Sequence, residues 1–219
     1  MRVAILTSVA AATLISSPAM AAITIGNTGV DTNWKVGFLG DTTIAPTDAQ
    51  ASSSATLKNA VVVTTAVSNW IASDSVSKWV SSANNAQSNP GYYAYSNTFT
   101  AGAFDILAFD YAVDDKIERV LLNGVEVAGA LSGSYRSFSS ASVSGFQAGS
   151  NTLTFLISNN VPGLNANVNP SGFRFSTSTL GAVPEPATWL TMILGFGVIG
   201  ATMRRRMGSG AVNAQLTPA

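Results

Sequence analysis

The chain has 219 residues, with eleven basic and eleven acidic side chains and neither histidine nor cysteine. The missing cysteines exclude disulfide bonds, thiol catalysis and thiolate metal sites, and the missing histidines remove the commonest general base. Between Ala22 and Val183 only seven basic residues stand against ten acidic ones. This weakly acidic, charge-poor segment argues against nucleic acid as a partner, because nucleic acids bind to basic surfaces.

The first 21 residues have the pattern of a secretory signal peptide. Arg2 supplies the positive start, residues 3–15 form an apolar stretch, and Ala19 and Ala21 frame an Ala-x-Ala cleavage site. We expect cleavage before Ala22, which defines an extracytoplasmic domain over residues 22–182. Roughly 160 residues are enough for one well-filled core.

The composition of this domain favours short strands and turns over helices. It is rich in Ser, Thr, Asn, Gly, Val and Ala, with aromatic residues scattered through it. The only helical signal is weak and predicts a single turn over residues 75–81. A strand is predicted over residues 103–113, where it ends at two aspartates.

The clearest strand signals lie in the second half of the domain. Residues 117–127 predict a hairpin about Asn123-Gly124, because this pair accepts the positive φ angles of a type I′ turn. Residues 151–159 alternate apolar and polar side chains, except that Leu156 is apolar on the outer face. Phe173 and Phe175 indicate a late strand. Several short strands at this spacing predict an all-β, antiparallel β-sandwich.

The same segments carry a resemblance to a known fold family. The hairpin at 113–125, the Gly-x-Asn-x-Leu strand within 146–157 and Gly172-Phe173-Arg174 are together similar to galactose-binding-like jelly-roll domains. The resemblance covers residues 101–177. It implies a jelly-roll-like sandwich, and structural calcium occurs in that family.

Asp114 and Asp115 are the acid pair most worth testing for chemistry. On a strand, neighbouring side chains point to opposite faces, so the two carboxyls could not both contact one glycosidic bond. In a loop they could help to bind calcium, which takes oxygen ligands. The favoured interpretation is a strand-end turn in which aspartate bonds its own backbone. We therefore expect no catalytic residue and no cofactor, with structural calcium as the alternative.

Aromatic residues in the middle of the chain raise a second hypothesis. Trp79, Tyr92 and Tyr93, with Trp70 and Tyr95, could form a platform on which sugar rings stack, and Tyr92-Tyr93 follows a Pro-Gly pair in a predicted loop. The favoured alternative is that these rings belong to the core, because each can bury about 150–250 Å².

The C-terminal segment combines three stretches of different physical character. Pro184-Glu185-Pro186 is a rigid, non-helical spacer. The following 17 residues to Met203 carry no charge, which as a helix corresponds to about 25 Å, somewhat less than the thickness of a hydrocarbon core. Trp189 suits one membrane interface, and the cluster Arg204, Arg205 and Arg206 suits the cytoplasmic one. The pattern predicts a short transmembrane helix with the domain outside.

This tail resembles the PEP-CTERM sorting signal in its PEPxxW form. The resemblance lies in the Pro-Glu-Pro-x-x-Trp motif, the glycines of the apolar run and the arginine cluster, and the predicted signal spans residues 183–206. It implies a Gram-negative exported protein whose partner is an exosortase, a membrane-embedded cysteine transpeptidase. Residues 207–219 continue past the arginines, where such tails usually end, and are predicted to be a short disordered tail.

Three functions are compatible with these patterns. The favoured one is a non-catalytic protein sorted by an exosortase to the cell surface or matrix, with a structural or interaction role in exopolysaccharide or biofilm. The alternative is a carbohydrate-binding module displayed at the cell surface. A polysaccharide-acting enzyme is the least favoured, because the usual catalytic residues are missing.

Overall fold

The computed structural model describes residues 23–41, 44–53, 57–103, 105–159, 169–177, 192–200 and 203–204. The chain divides into two compact units, one of Met20–Ala182 and one of Met1–Ala19 with Val183–Ala219. In the second unit, the described residues are helical and exposed, and they include Arg204. The helices of the described residues are all too short or too polar to cross a membrane. The predicted cleavage site, the Pro-Glu-Pro motif, Trp189, Arg205 and Arg206 lie outside the described residues.

The described residues of the first unit form antiparallel strands and one single-turn helix. The strands are β1 (Lys35–Gly40), β2 (Lys58–Asn59), β3 (Val61–Val62), β4 (Val80–Ser81), β5 (Gln87–Ser88), β6 (Gly91–Ala101), β7 (Ile106–Asp114), β8 (Lys116–Leu122), β9 (Val125–Ala128), β10 (Ser139–Ser144), β11 (Gly149–Asn159), β12 (Asn169–Pro170) and β13 (Gly172–Thr177); the helix α1 is Asp48–Ala51.

The strands form two main sheets that face each other across one core. The six-stranded sheet has the order β2-β1-β6-β11-β8-β9, the five-stranded sheet has the order β10-β7-β13-β4-β3, and β12 pairs with β5 alone. The pairings of these named strands are antiparallel. The prediction of an all-β antiparallel sandwich is therefore confirmed.

The core between the sheets is dominated by aromatic rings. Phe155 of the six-stranded sheet lies 4.8 Å, centroid to centroid, from Phe173 of the five-stranded sheet. Trp34 packs on Phe173 and Phe175 at 5.6 and 5.0 Å, and its indole Nε1 donates to the carbonyl of Gly26 at 2.7 Å. Since every second side chain of a strand faces the same way, β13 presents both its phenylalanines to this core.

The hairpin and the long strand predicted in the second half are confirmed. β8 and β9 pair across Asn123 and Gly124, whose φ angles of 52° and 82° have the sign that a type I′ turn requires. The side-chain oxygen of Asn123 also accepts from the backbone N–H of Thr152 on β11, at 2.8 Å. The turn is thus tied to the neighbouring strand as well as to its own.

A second, smaller hydrophobic cluster explains the apolar outer-face residue of β11. Leu156 packs with Leu121 and Tyr92 beneath Ala51 of α1. Thr47 and Gln50 form a capping box at the start of α1. Part of the outer face of the six-stranded sheet is therefore covered, which makes an outward leucine favourable there.

Two predicted elements differ from the structure. The turn of helix predicted over 75–81 is wrong, because residues 75–79 are irregular and Val80 enters β4, where it pairs with Val62 and Phe173. The strand predicted over 103–113 is β7, which begins later and ends at Asp114. The peptide bond between Asp114 and Asp115 is cis.

Candidate functional site

The three aromatic residues predicted as a sugar platform lie inside the protein. Trp79, Tyr92 and Tyr93 are only 3%, 5% and 3% exposed. Tyr92 and Tyr93 belong to β6, which lies between β1 and β11 in the six-stranded sheet, and not to a loop. The interpretation of these rings as an exposed platform is therefore corrected to a core role, since no sugar ring reaches a buried face.

The outer face of the five-stranded sheet carries a different set of aromatic rings. Gly172 and Arg174 face outward on β13, because they alternate with the core residues Phe173 and Phe175. A Cβ atom on Gly172 would lie 2.6 Å from Cη2 of Trp70 and 3.2 Å from Trp79. The missing side chain thus makes room for the half-buried Trp70 directly against the sheet.

Arg174 anchors the segment that carries Trp70. Its guanidinium is buried, and it donates from Nε to Ser77 Oγ at 2.8 Å and from Nη1 to the carbonyl of Ala72 at 2.6 Å. Nη2 lies 2.6 Å from Oδ2 of Asp74. Backbone N–H donation from Ser77 holds the pKa of Asp74 below its usual value, although slight desolvation opposes this shift. These contacts fix segment 70–78 against the sheet and pair the buried guanidinium with an acid, although Nη2 makes this ion pair without a well-aligned hydrogen bond.

Two further aromatic residues contact the groups that hold Trp70 on this face. The Phe138 ring lies over the Arg174 guanidinium at 4.7 Å and is 40% exposed. The carbonyl of half-buried Tyr135 accepts from the N–H of Ile71, next to Trp70, at 2.8 Å. We call Trp70, Tyr135 and Phe138 the aromatic row. Trp70 was already a candidate from the sequence, whereas Tyr135 and Phe138 gave no signal, being single rings among serines and glycines.

The acid pair lies at the Trp70 end of this row. Trp70 Nε1 donates to Asp114 Oδ2 at 2.8 Å. Asp114 is buried and Asp115 exposed. Burial, reinforced by the neighbouring Asp115 carboxyl, raises the pKa of Asp114 to about 8, although the Trp70 hydrogen bond opposes the shift.

This geometry corrects the expectation that the two side chains diverge. β7 ends at Asp114, so strand alternation does not extend to Asp115, and the two carboxyls come within hydrogen-bonding reach. The described part of the chain contains no group of three or more acidic side chains that could hold a metal ion. Calcium binding by this pair stays a prediction.

A cleft of about 260 Å³ lies elsewhere, at the margin of the sandwich. Trp34, Val62 and Val80 give it an apolar floor, and Asp31 is among its polar residues. The Asp31 carboxylate already accepts from Asn97 Nδ2 at 3.2 Å, while the side-chain oxygen of this buried Asn97 lacks a hydrogen-bond partner. The cleft is large enough for a small ligand only.

Comparison with known families identifies the C-terminal segment. Residues 182–206 match the PEP-CTERM protein-sorting motif, which confirms the predicted signal. This motif indicates an exported protein that is processed by an exosortase. No curated protein matches the chain.

Solved structures show only remote similarity to the chain. A family 35 carbohydrate binding module from Clostridium thermocellum has a TM-score of 0.34 at 13% identity, covering 56% of this chain and 90% of its own. Another, from an environmental isolate, has a TM-score of 0.31 at 11% identity, covering 57% and 95%. A β-glucosidase from Kluyveromyces marxianus in complex with glucose scores 0.36 at 7% identity, covering 76% of this chain and 19% of its own. With TM-scores this low, the similarities carry no functional argument.

Proposed function

We propose that this protein is sorted by an exosortase to the cell envelope and takes a structural or interaction role in the exopolysaccharide or biofilm matrix. The observation that carries the proposal is the sorting motif at residues 182–206, which follows a compact β-sandwich. A predicted signal peptide at the other end of the chain supports the same route. The sandwich is then the part that acts outside the cell.

The acid pair supports a non-catalytic role. Glycosidases hold their two carboxyl groups about 5 Å apart or more, so that the sugar or a water fits between them. Asp114 and Asp115 lie within hydrogen-bonding reach of each other, and Asp114 is buried against Trp70. This arrangement leaves no gap for a glycosidic bond.

The matrix role is tested by comparing the parent strain with a strain that cannot synthesise exopolysaccharide. We expect the protein to co-purify with the washed matrix of the parent. In the polysaccharide-deficient strain, it should instead appear in the culture medium. Equal distribution between the fractions of both strains would contradict a role in the matrix.

A second candidate, a dedicated carbohydrate-binding module, is favoured by one specific observation. Within the aromatic row, Phe138 is 40% exposed and rests on Arg174 of β13, whereas Trp79, Tyr92 and Tyr93 are buried. Saturable binding of one purified polysaccharide would distinguish this module from a protein held in the matrix only by protein contacts.

A further inference from the structure

We propose that the aromatic row of Trp70, Tyr135 and Phe138 is a saccharide-stacking surface that binds an extended chain of neutral pyranose sugars. This inference rests on the proposed matrix function and adds to it the site and the class of ligand. It differs from the sequence prediction, which placed the platform on rings that are buried.

The rings of the row are supported from behind by other side chains. Trp70 packs on Trp79 with centroids 4.2 Å apart, and Phe138 rests on the buried guanidinium of Arg174 at 4.7 Å. A ring fixed on one face loses little further entropy when the other face is covered by a ligand. Exposed aromatic area on a rigid scaffold is therefore a binding feature, since its burial is favourable without reorganisation.

The row is extended rather than pocket-like. Trp70 lies over Gly172 and Phe138 over Arg174, which are two residues apart on the same face of β13. Positions two residues apart on a strand are separated by about 7 Å. Two rings that contact different positions of one strand favour a ligand that runs along the sheet over one that fits a single pocket.

Polar groups lie close to two of the three aromatic residues. Exposed Asp115 lies beside the Trp70 end and offers carboxylate oxygens to sugar hydroxyls. Exposed Arg136, whose Cζ lies 5.2 Å from the Tyr135 ring centroid, offers N–H donors. A stacking surface with hydrogen-bond donors and acceptors at its edges is what a hydroxyl-rich ring requires.

The charges near the row argue against an acidic polysaccharide. Arg174 is already paired with Asp74, and nearby ionic groups include exposed Arg136, exposed Asp115 and half-buried Asp110 of β7. Carboxylates therefore outnumber guanidinium groups, and a polyuronate would be repelled. A neutral chain incurs no such penalty.

The experiment is affinity electrophoresis of purified full-length protein in gels that contain hydroxyethyl cellulose, xylan, galactomannan or polygalacturonate. We expect retardation by at least one neutral polymer and none by polygalacturonate. Phe138→Ala should weaken binding to the neutral polymer about tenfold, as expected for removal of an aromatic anchor. The matched control is Phe38→Ala, since Phe38 is 39% exposed but lies on the six-stranded sheet; its affinity should equal that of the parent.

The three substitutions in the aromatic row differ in how much they can disturb the fold. Trp70→Ala removes a packed ring, so its binding result counts only if its thermal unfolding remains cooperative. Phe138→Ala removes an exposed side chain and Tyr135→Ala a half-buried one. Retardation that is unchanged in both of these variants, or absent with every neutral polymer, would overturn the proposal. Stronger retardation by polygalacturonate would overturn the ligand class. If binding fails while the protein still depends on exopolysaccharide for its matrix location, the proposed function stands and this inference alone is wrong.

Discussion

At Gly172 the backbone of β13 leaves room for two tryptophan rings. An alanine Cβ there would approach Trp70 to 2.6 Å and Trp79 to 3.2 Å, both closer than ordinary contact. Because each ring is held by an Nε1 hydrogen bond, to Asp114 and to the carbonyl of Ile71 respectively, neither can move without losing a partner. The size of the side chain at position 172 thus controls the position of Trp70 in the aromatic row.

We therefore expect Gly172→Ala to destabilise the fold by about 1–3 kcal/mol, the usual cost of overpacking. The tryptophan emission should also shift to longer wavelength as Trp70 moves outward. Chemical denaturation followed by fluorescence measures both effects. The control is Gly129→Ala, whose Cβ would meet only Glu126 Oε1 at an ordinary 3.6 Å. Equal stabilities of the two variants would show that the tryptophan packing is not tight.

The protonation of Asp114 should make stability depend on pH. Its folded-state pKa of about 8 lies above the ordinary value of 3.8, so between these two values the folded state holds a proton that the unfolded state has lost. The contribution of Asp114 to the free energy of unfolding should therefore be highest at low pH. This contribution is lost progressively as the pH rises toward 8.

Asp114→Asn should make the free energy of unfolding less dependent on pH, because the amide does not titrate. It also retains a donor for Asp115 and an acceptor for Trp70. At pH 8 the variant should be more stable than the parent, as measured by urea denaturation at several pH values. Asp41→Asn at an exposed position serves as the control. The pH window runs from about pH 4 to about pH 8. If the free energy of unfolding changes with pH equally steeply in the parent and in Asp114→Asn across this window, the account is contradicted.

At the scale of elements, the hairpin of β8 and β9 depends on its turn residue. Asn123 takes a φ of 52°, and its side chain accepts from Thr152 N–H and donates to Asn151. Asn123→Ala removes both bonds and a residue type that tolerates positive φ. We expect a loss of about 1–2 kcal/mol in thermal or chemical unfolding. Val127→Thr, at an exposed position on β9, should cost less than half as much, and equal costs would argue against the turn as the cause.

The sequence predicted those elements whose signal is local. Asn123-Gly124 defines its turn by backbone preference alone, and residues 151–159 alternate strictly enough to indicate a half-buried strand. β6 was missed because both of its faces are buried, with Tyr93 in the core between the sheets and Tyr92 in the smaller outer cluster. Alternation is therefore lost, and Tyr92-Tyr93 follows a Pro-Gly pair like a loop. The helical turn predicted at 75–81 failed because long-range contacts with Arg174 and β13 override a weak local preference.

The candidate site was only partly predictable for a related reason. Trp70 stood out in the sequence as a rare residue type, but nothing local tells that Trp79 is buried beneath it. Phe138 gains its significance from Arg174, which is 36 residues away in the chain. Pairings over such distances arise only when the sheet forms.

At the scale of the whole molecule, sorting and interaction are assigned to different parts of the chain. The C-terminal motif indicates where the protein is processed, and the β-sandwich carries the surface features available for interaction. The two functions should be separable by mutation. Phe138→Ala should leave sorting intact, and changes in the motif should leave the sandwich folded.

The most direct test of the central claim replaces Pro184, Glu185 and Pro186 with alanine and follows the protein by cell fractionation. We predict that the parent loses its C-terminal segment and leaves the membrane fraction, whereas the variant accumulates there uncleaved. A control with alanine at Leu216, Thr217 and Pro218 should behave like the parent. If the motif variant is cleaved and leaves the membrane as the parent does, exosortase sorting through this motif is contradicted.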